Sequence, residues 1–254
     1  MLPFWSLLLL LLFCATGALG HRNNSDVEPR IVGGTKATEG QFPHQVSLRR
    51  RGSHTCGGSI ISNNYVVTAA HCVKQGNNVV PASQLSINAG SLLLSSGGVT
   101  IPVAVVTVHP EYRGNGHDVA VLRLKSSLTY SSNIAAIQLA TEDPPNDATV
   151  DISGWGAISQ RGPISNSLLF VQVKALARAT CQRAYLRQLP ATTMCLLHPK
   201  DKGACYGDSG GPATYEGKLV GIASFVIGGC GRNAPDGYER VSQLRSWINE
   251  KAAL

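Results

Sequence analysis

"SIISNNYVVTAA", residues 59–70, decides the fold class. It is rich in Ile and Val, alternates in part, and is punctuated by Asn63 and Asn64. Such a stretch reads as strand rather than amphipathic helix. The same texture returns in "HQVSL" (44–48), "VTIPVAVVTV" (99–108), "DVAVLRL" (118–124), "TVDISGWG" (149–156), "LLFVQVKAL" (168–176) and "KLVGIASF" (218–225), with Gly, Asn, Pro and Ser between them. No helical pattern of roughly 10–15 residues separates these runs. That argues against a parallel α/β sheet and for an antiparallel barrel or sandwich. "TEDPPNDA" (141–148) is the strongest turn-and-linker stretch and lies near the middle, which suggests two similar halves without a clear internal repeat. Near the end the period changes: Val241, Leu244, Trp247 and Ile248 recur at helical spacing, with Arg245, Asn249, Glu250 and Lys251 on other faces. A second, short helix is expected around Ala179 to Leu186. The expectation is an all-β chain closed by a C-terminal helix.

The first 20 residues hold an unbroken apolar run from Leu7 to Cys14, then small residues ending at Gly20. The run is shorter than the roughly 20 apolar residues a membrane span needs, so a secretory signal over 1–20 is preferred to an anchor. Net charge is +7, and it stays so without residues 1–30, because Arg22 and Arg30 leave with Asp26 and Glu28. The basic residues are scattered, with Arg49–Arg51 the only run and no aromatic-basic interleaving, which excludes nucleic acid as a partner. Seven cysteines become six once Cys14 leaves with the signal. An even number in a secreted chain points to three disulfides; zinc is the alternative, but no short-spaced Cys/His set supports it. About 224 residues suffice for a sizeable core, so bridges reinforce loops and need not supply the fold.

"GACYGDSGGP" (203–212) sets Ser209 among glycines behind an aspartate. It is either a disulfide-pinned surface turn or a nucleophile on a tight turn, with backbone N–H groups freed to face a carbonyl. Two further stretches bear on the choice. "TAAHC" places His71 beside Cys72 at the end of an apolar strand, and "HDVAVLRL" places Asp118 at the start of another. Alone, each reads as structural. Together they supply a base, an orienter and a nucleophile, which hydroxyl attack requires because free serine is barely ionised at neutral pH.

With these residues in view, the chain from Ile31 onward resembles the chymotrypsin-like serine proteases of the trypsin superfamily. The resemblance rests on "RIVGG" (30–34), "CGGSIIS" (56–62), "TAAHC" (68–72), "DVAVLRL" (118–124), "GWG" (154–156), "GDSGGP" (207–212) and "GIASF" (221–225). It implies two perpendicular six-stranded antiparallel β-barrels, with His71 and Asp118 from the first, Ser209 from the second and a cleft between. It assigns attack to Ser209, proton transfer to His71 and orientation of His71 to Asp118, with the N–H groups of Gly207 and Ser209 as oxyanion hole. Ser224 would carry the substrate backbone and help screen Asp118. The implied disulfides are Cys56–Cys72, Cys181–Cys195 and Cys205–Cys230. No cofactor is implied, and a monomer acting on protein or peptide substrates, met by protein protease inhibitors, is expected.

The resemblance also implies a zymogen. Residues 21–30 would be a propeptide cut after Arg30 by an arginine-specific protease, freeing the Ile31 amine to pair with Asp208; residues 31–254 would be the protease domain. No acidic residue lies between Glu39 and Glu111, so no calcium or other metal site is expected. The pocket departs from familiar members. Its base falls at Gly203, where trypsins carry aspartate; Val226 replaces a wall glycine, as in elastases; and Asp236 stands on the far wall. Val226 favours aliphatic side chains, whereas Asp236 offers a carboxylate to basic ones unless it is paired locally. Asp201 is an alternative acidic group if the loop is shifted. A broad or elastase-like preference with some tolerance of basic residues follows. The competing reading is a non-catalytic protease homologue acting as a binding or regulatory module.

Overall fold

A computed structural model describes residues 33–185 and 188–254. The expectations on residues 1–32 (signal, propeptide, Arg30 and Ile31) lie outside the described residues. Six strands form the first barrel: β1 (Gln45–Arg50), β2 (Ser53–Ser62), β3 (Tyr65–Thr68), β4 (Leu85–Ala89), β5 (Val99–Val108) and β6 (Ala120–Leu124). They close in the order β1-β2-β3-β6-β5-β4, antiparallel throughout. The second half repeats the pattern with β7 (Thr149–Gly154), β8 (Leu169–Ala175), β9 (Thr193–Leu197), β10 (Pro212–Tyr215), β11 (Lys218–Phe225) and β12 (Asp236–Arg240). Their order, β8-β7-β10-β11-β12-β9, closes through the β8–β9 pairing. Going round either barrel gives the same circuit, so the two halves share a topology although their sequences do not visibly repeat.

The opening stretch divides where the sequence punctuates it. Ser62 pairs with Tyr65, leaving Asn63 and Asn64 as a two-residue connection between β2 and β3. Pro102 is tolerated inside β5 because it is exposed and its carbonyl still accepts a hydrogen bond, from Lys125 N at 2.9 Å. Alternation then fills each barrel. Val46, Leu48, Ile60, Val66, Ile87, Val103 and Leu122 pack the first core; Val150, Ile152, Leu169, Val173, Leu196, Val220 and Tyr238 pack the second. Each aliphatic side chain so buried contributes roughly 1.5–3 kcal/mol before entropy is charged against it.

Among the described residues, two α-helices complete the fold. α1 (Arg178–Ala184) coincides with the short helix expected near residue 179 and is tied to β9 by Cys181–Cys195. α2 (Val241–Ala252) buries Val241, Leu244 and Ile248 against the first barrel's core. The C-terminus thus leaves the second barrel and clamps the first. Among the described residues, no helix is long and apolar enough to cross a membrane.

Candidate active site

β3 ends at Thr68, and the chain tightens into a 3-10 turn over Ala70–Cys72 that carries His71. The Cys56–Cys72 disulfide pins this turn to β2. Asp118 stands two residues ahead of β6, 5% exposed, and receives three donors. His71 N donates to Oδ1 at 2.9 Å, His71 Nδ1 to Oδ2 at 2.7 Å, and Ser224 Oγ to Oδ2 at 2.6 Å. A carboxylate only accepts, so the proton of a neutral imidazole sits on Nδ1 and Nε2 keeps its lone pair. Ser224 reaches Asp118 because the β11–β12 register slips between Ala223 and Phe225, which takes Ser224 out of the ladder.

His71, Ser209 and Ser224 line one cleft of about 540 Å³, together with Val226, Tyr206 and Gln160. Ser209 is held through its carbonyl, which accepts from Gly57 N at 2.8 Å across the two barrels. No hydrogen bond joins Ser209 to His71 among the described residues; such contacts are often long in the absence of substrate. The turn before Ser209 is specified by its neighbours. Gly207 has φ +98°, a backbone state that L side chains rarely adopt. A Cβ there would come no closer than 3.2 Å to another atom, so glycine is demanded by backbone geometry more than by crowding. The Gly207 carbonyl accepts from His54 Nε2 at 3.1 Å, and His54 Nδ1 lies 2.8 Å from the Ser47 hydroxyl, which donates to it. Packed edge-on to Trp155, His54 is pushed down to about 4 by burial and stays neutral at pH 7.

Asp208 is buried and is not among the residues that line the cleft. Gly156 N donates to Oδ1 at 2.7 Å and Cys205 N to Oδ2 at 2.9 Å. Burial nevertheless pushes its carboxyl up to about 7, against the pull of those two amides. No Lys, Arg or His among the described residues lies within ion-pair distance of it. The Cys205–Cys230 disulfide ties this turn to the segment after Val226. Among the described residues the six cysteine sulfurs are all spent in bridges; Cys56 and Cys72 flank His71 closely but offer no thiolate to a metal.

The pocket residues divide. Val226 lines the cleft, with Ala204, Ala223, Gly228, Gly229 and Gly237 around it. Gly203 and Asp236, expected at the base and far wall, are not among the lining residues. Asp236 is 2% exposed and accepts from Ala204 N at 2.9 Å behind the wall. Asp201 sits on an exposed turn at φ +59° and is not in the cleft either. Several neighbours carry no sequence motif: His54, Gln160, whose Oε1 accepts from Cys230 N at 2.5 Å, and Glu239, fully buried on β12. Burial pushes the Glu239 carboxyl up to about 7, and the negative charge of Asp118 adds to the effect.

Known proteins resemble this arrangement over nearly its full length. The Trypsin family model matches residues 31–248. Serine protease SP24D of Anopheles gambiae is 48% identical over 219 residues, covering 86% of this chain and 80% of that protein. Trypsin alpha of Drosophila melanogaster is 44% identical over 228 residues, 87% of each chain. Among solved structures, mouse neuropsin, a serine protease expressed in the limbic system of the brain, superposes with a TM-score of 0.80 at 29% identity, covering 87% of this chain and 99% of its own. With a match across both barrels, the chain belongs to the trypsin family of serine proteases.

Proposed function

We propose that this serine endopeptidase is a secreted zymogen whose active form cleaves peptide bonds after small or medium aliphatic residues. The observation that carries the reading is the hydrogen-bonded chain Ser224–Asp118–His71 opening onto the cleft that Ser209 also lines. Ser209 Oγ attacks the scissile carbonyl carbon, and its proton passes to His71 Nε2. Asp118 holds the resulting imidazolium through Nδ1. The N–H groups of Gly207 and Ser209 receive the oxyanion, each such donor being worth about 10²–10³ in rate. The proton then goes to the leaving amine as the C–N bond breaks, and water repeats the sequence on the acyl-enzyme.

The pocket reading is supported by the lining. Val226 narrows it, and no carboxylate or ammonium group is among its lining residues. Zymogen control is supported by Asp208. A buried carboxylate without a cation costs about 3–5 kcal/mol, which an entering ammonium group would offset. Cleavage after Arg30 by an arginine-specific protease would supply that group at Ile31.

The test is to cut the protein after Arg30 and expose it to a fluorophosphonate and a diverse peptide mixture, with Ser209→Ala as control. Label on Ser209 and cleavage after Ala, Val or Leu are expected. No label after cutting would favour the non-catalytic homologue. Cleavage mainly after Lys or Arg would refute the pocket reading, and full activity from uncut Arg30→Gln would refute the zymogen.

A further inference from the structure

The wall behind the cleft holds a buried ion pair that the triad does not use. His198 directly follows β9 and Asp236 opens β12; their side chains are 1% and 3% exposed. His198 Nε2 stands 3.5 Å from Asp236 Oδ2, an ion-pair distance too long for a good hydrogen bond. The other ring nitrogen, Nδ1, lies 2.9 Å from the Pro199 carbonyl oxygen. That oxygen only accepts, so Nδ1 carries a proton, and Nε2 faces a carboxylate that favours a second. Burial opposes the charge, but Asp236 and the Pro199 and Ala234 carbonyls outweigh it and hold the imidazole above its ordinary value.

Gly203 explains how the ring fits. At φ +115°, a Cβ on residue 203 would lie 2.5 Å from His198 Cδ2 and 2.9 Å from Asp236 Oδ2. The imidazole therefore fills the space that a side chain at 203 would take. Asp236 also accepts from the backbone N–H of Ala204, and Ala204 lines the cleft. The carboxylate is thus separated from the cleft by one residue and balanced from the far side. Asp208 and Tyr238, both buried, also feel its charge, while exposed Asp201 and half-buried Lys202 lie on the loop before Gly203.

We propose that His198 is a specificity-determining residue: it neutralises Asp236 and keeps that carboxylate from serving a basic substrate side chain, leaving Val226 and an uncharged wall to select aliphatic ones. The inference rests on the pocket reading above. Without the imidazole, Asp236 is a carboxylate lacking its counter-ion one residue from the cleft, where a Lys or Arg side chain supplies the missing charge.

The experiment compares wild type, His198→Ala, His198→Gln and the double variant His198→Ala/Asp236→Asn, each cut after Arg30 and counted by fluorophosphonate titration. The readout is the ratio of kcat/KM for peptides with Lys or Arg before the scissile bond to kcat/KM for peptides with Ala or Val there. His198→Ala is expected to raise the ratio about tenfold or more, and the double variant to return it to the wild-type value. His198→Gln, which keeps much of the side-chain volume without the charge, is expected to raise it as well and carries the test if the alanine variant does not fold. A ratio unchanged within about twofold in a labelled His198 variant overturns the proposal. So does a rise that persists in the double variant, since space and not charge would then be the cause. Ring ¹⁵N NMR of the Ser209→Ala protein needs no substitution at the pair: both His198 nitrogens protonated at pH 6.5 is expected, and a neutral ring overturns the proposal. Wild-type preference for Lys or Arg would instead refute the pocket reading itself.

Discussion

Replacing Glu239 by glutamine should stabilise the protein in a strongly pH-dependent way. The side chain is fully buried on β12, and neither carboxylate oxygen has a well-formed hydrogen bond. Burial moves its titration from an ordinary 4.5 to about 7; Thr192 pulls the other way, Asp118's charge reinforces the rise, and the backbone of Asp118 and His117 opposes it. The sign follows from proton binding. The native state holds this proton more tightly than the unfolded chain, so stability is fullest below pH 4.5 and falls as pH rises through about 7. Each pH unit of separation is worth about 1.4 kcal/mol. The ionised side chain thus costs about 0.8 kcal/mol at pH 5 and about 3.3 kcal/mol at pH 8. Glu239→Gln removes a cost that grows by about 2.5 kcal/mol between those values. The assay is urea denaturation of the Ser209→Ala background, which prevents self-digestion, at pH 5 and pH 8 with and without Glu239→Gln. A constant shape effect of the amide cancels between the two pH values. Equal differences at both would refute the reasoning.

Three further outcomes are expected. Ser224→Ala removes one of three donors to Asp118 and should lower kcat about tenfold, the order expected for a charge-assisted hydrogen bond, with KM little changed in steady-state kinetics. His54→Gln should lower kcat about tenfold by loosening the Gly207 turn. It should also reduce acid sensitivity: His54 is held neutral down to about 4, so the wild-type protein loses up to about 3 kcal/mol from this group as pH falls from 6.5 to 4, readable by denaturation at pH 4 and pH 7. Replacing Cys205 and Cys230 by alanine opens a bridge across a sequence separation of 25 residues and should cost about 3.5 kcal/mol in the chain-entropy picture, measured by thermal unfolding of the Ser209→Ala protein.

What was legible in the sequence lies in contiguous stretches. A β-branched run, a helical spacing at Val241–Ile248 and a Gly-rich turn around Ser209 each state their local structure through short-range sterics. The register did not read so directly. Ser224 leaves its ladder only because β11 and β12 slip past one another, and its contact with Asp118 spans 106 residues of chain. Gly207 was legible as a glycine that matters, and its φ of +98° adds a backbone reason that the sequence does not state. The resemblance located Asp236 along the chain but said nothing of which group claims its carboxylate. His198 follows an ordinary strand and carries no motif, so only the folded barrel brings it to Asp236. Glu239 is hidden likewise, because a lone glutamate in a strand usually faces water.

Four carboxylates around the site show how environment assigns chemistry to one functional group. Asp118 has three donors and faces a histidine, which suits an anion that must stabilise a transient imidazolium. Asp236 has one backbone donor and a standing histidine partner, so its charge is already spent within the wall. Asp208 has two backbone donors and no cation among the described residues, leaving a site whose energy falls when a cation arrives. Glu239 is approached by Thr192 and by the backbone of Asp118 and His117 without a well-formed hydrogen bond, and burial outweighs them, so the protonated form is the cheap one near neutral pH. Asp208 and Glu239, the two that burial pushes up to about 7, are the groups whose charge changes near neutral pH. Urea denaturation at pH 5 and pH 8 of the uncut Ser209→Ala protein tests this through Asp208→Asn and Glu239→Gln. Both variants should gain stability at pH 8 relative to pH 5. Equal changes at the two pH values would mean that burial does not hold a proton on either carboxyl more tightly than the unfolded chain does.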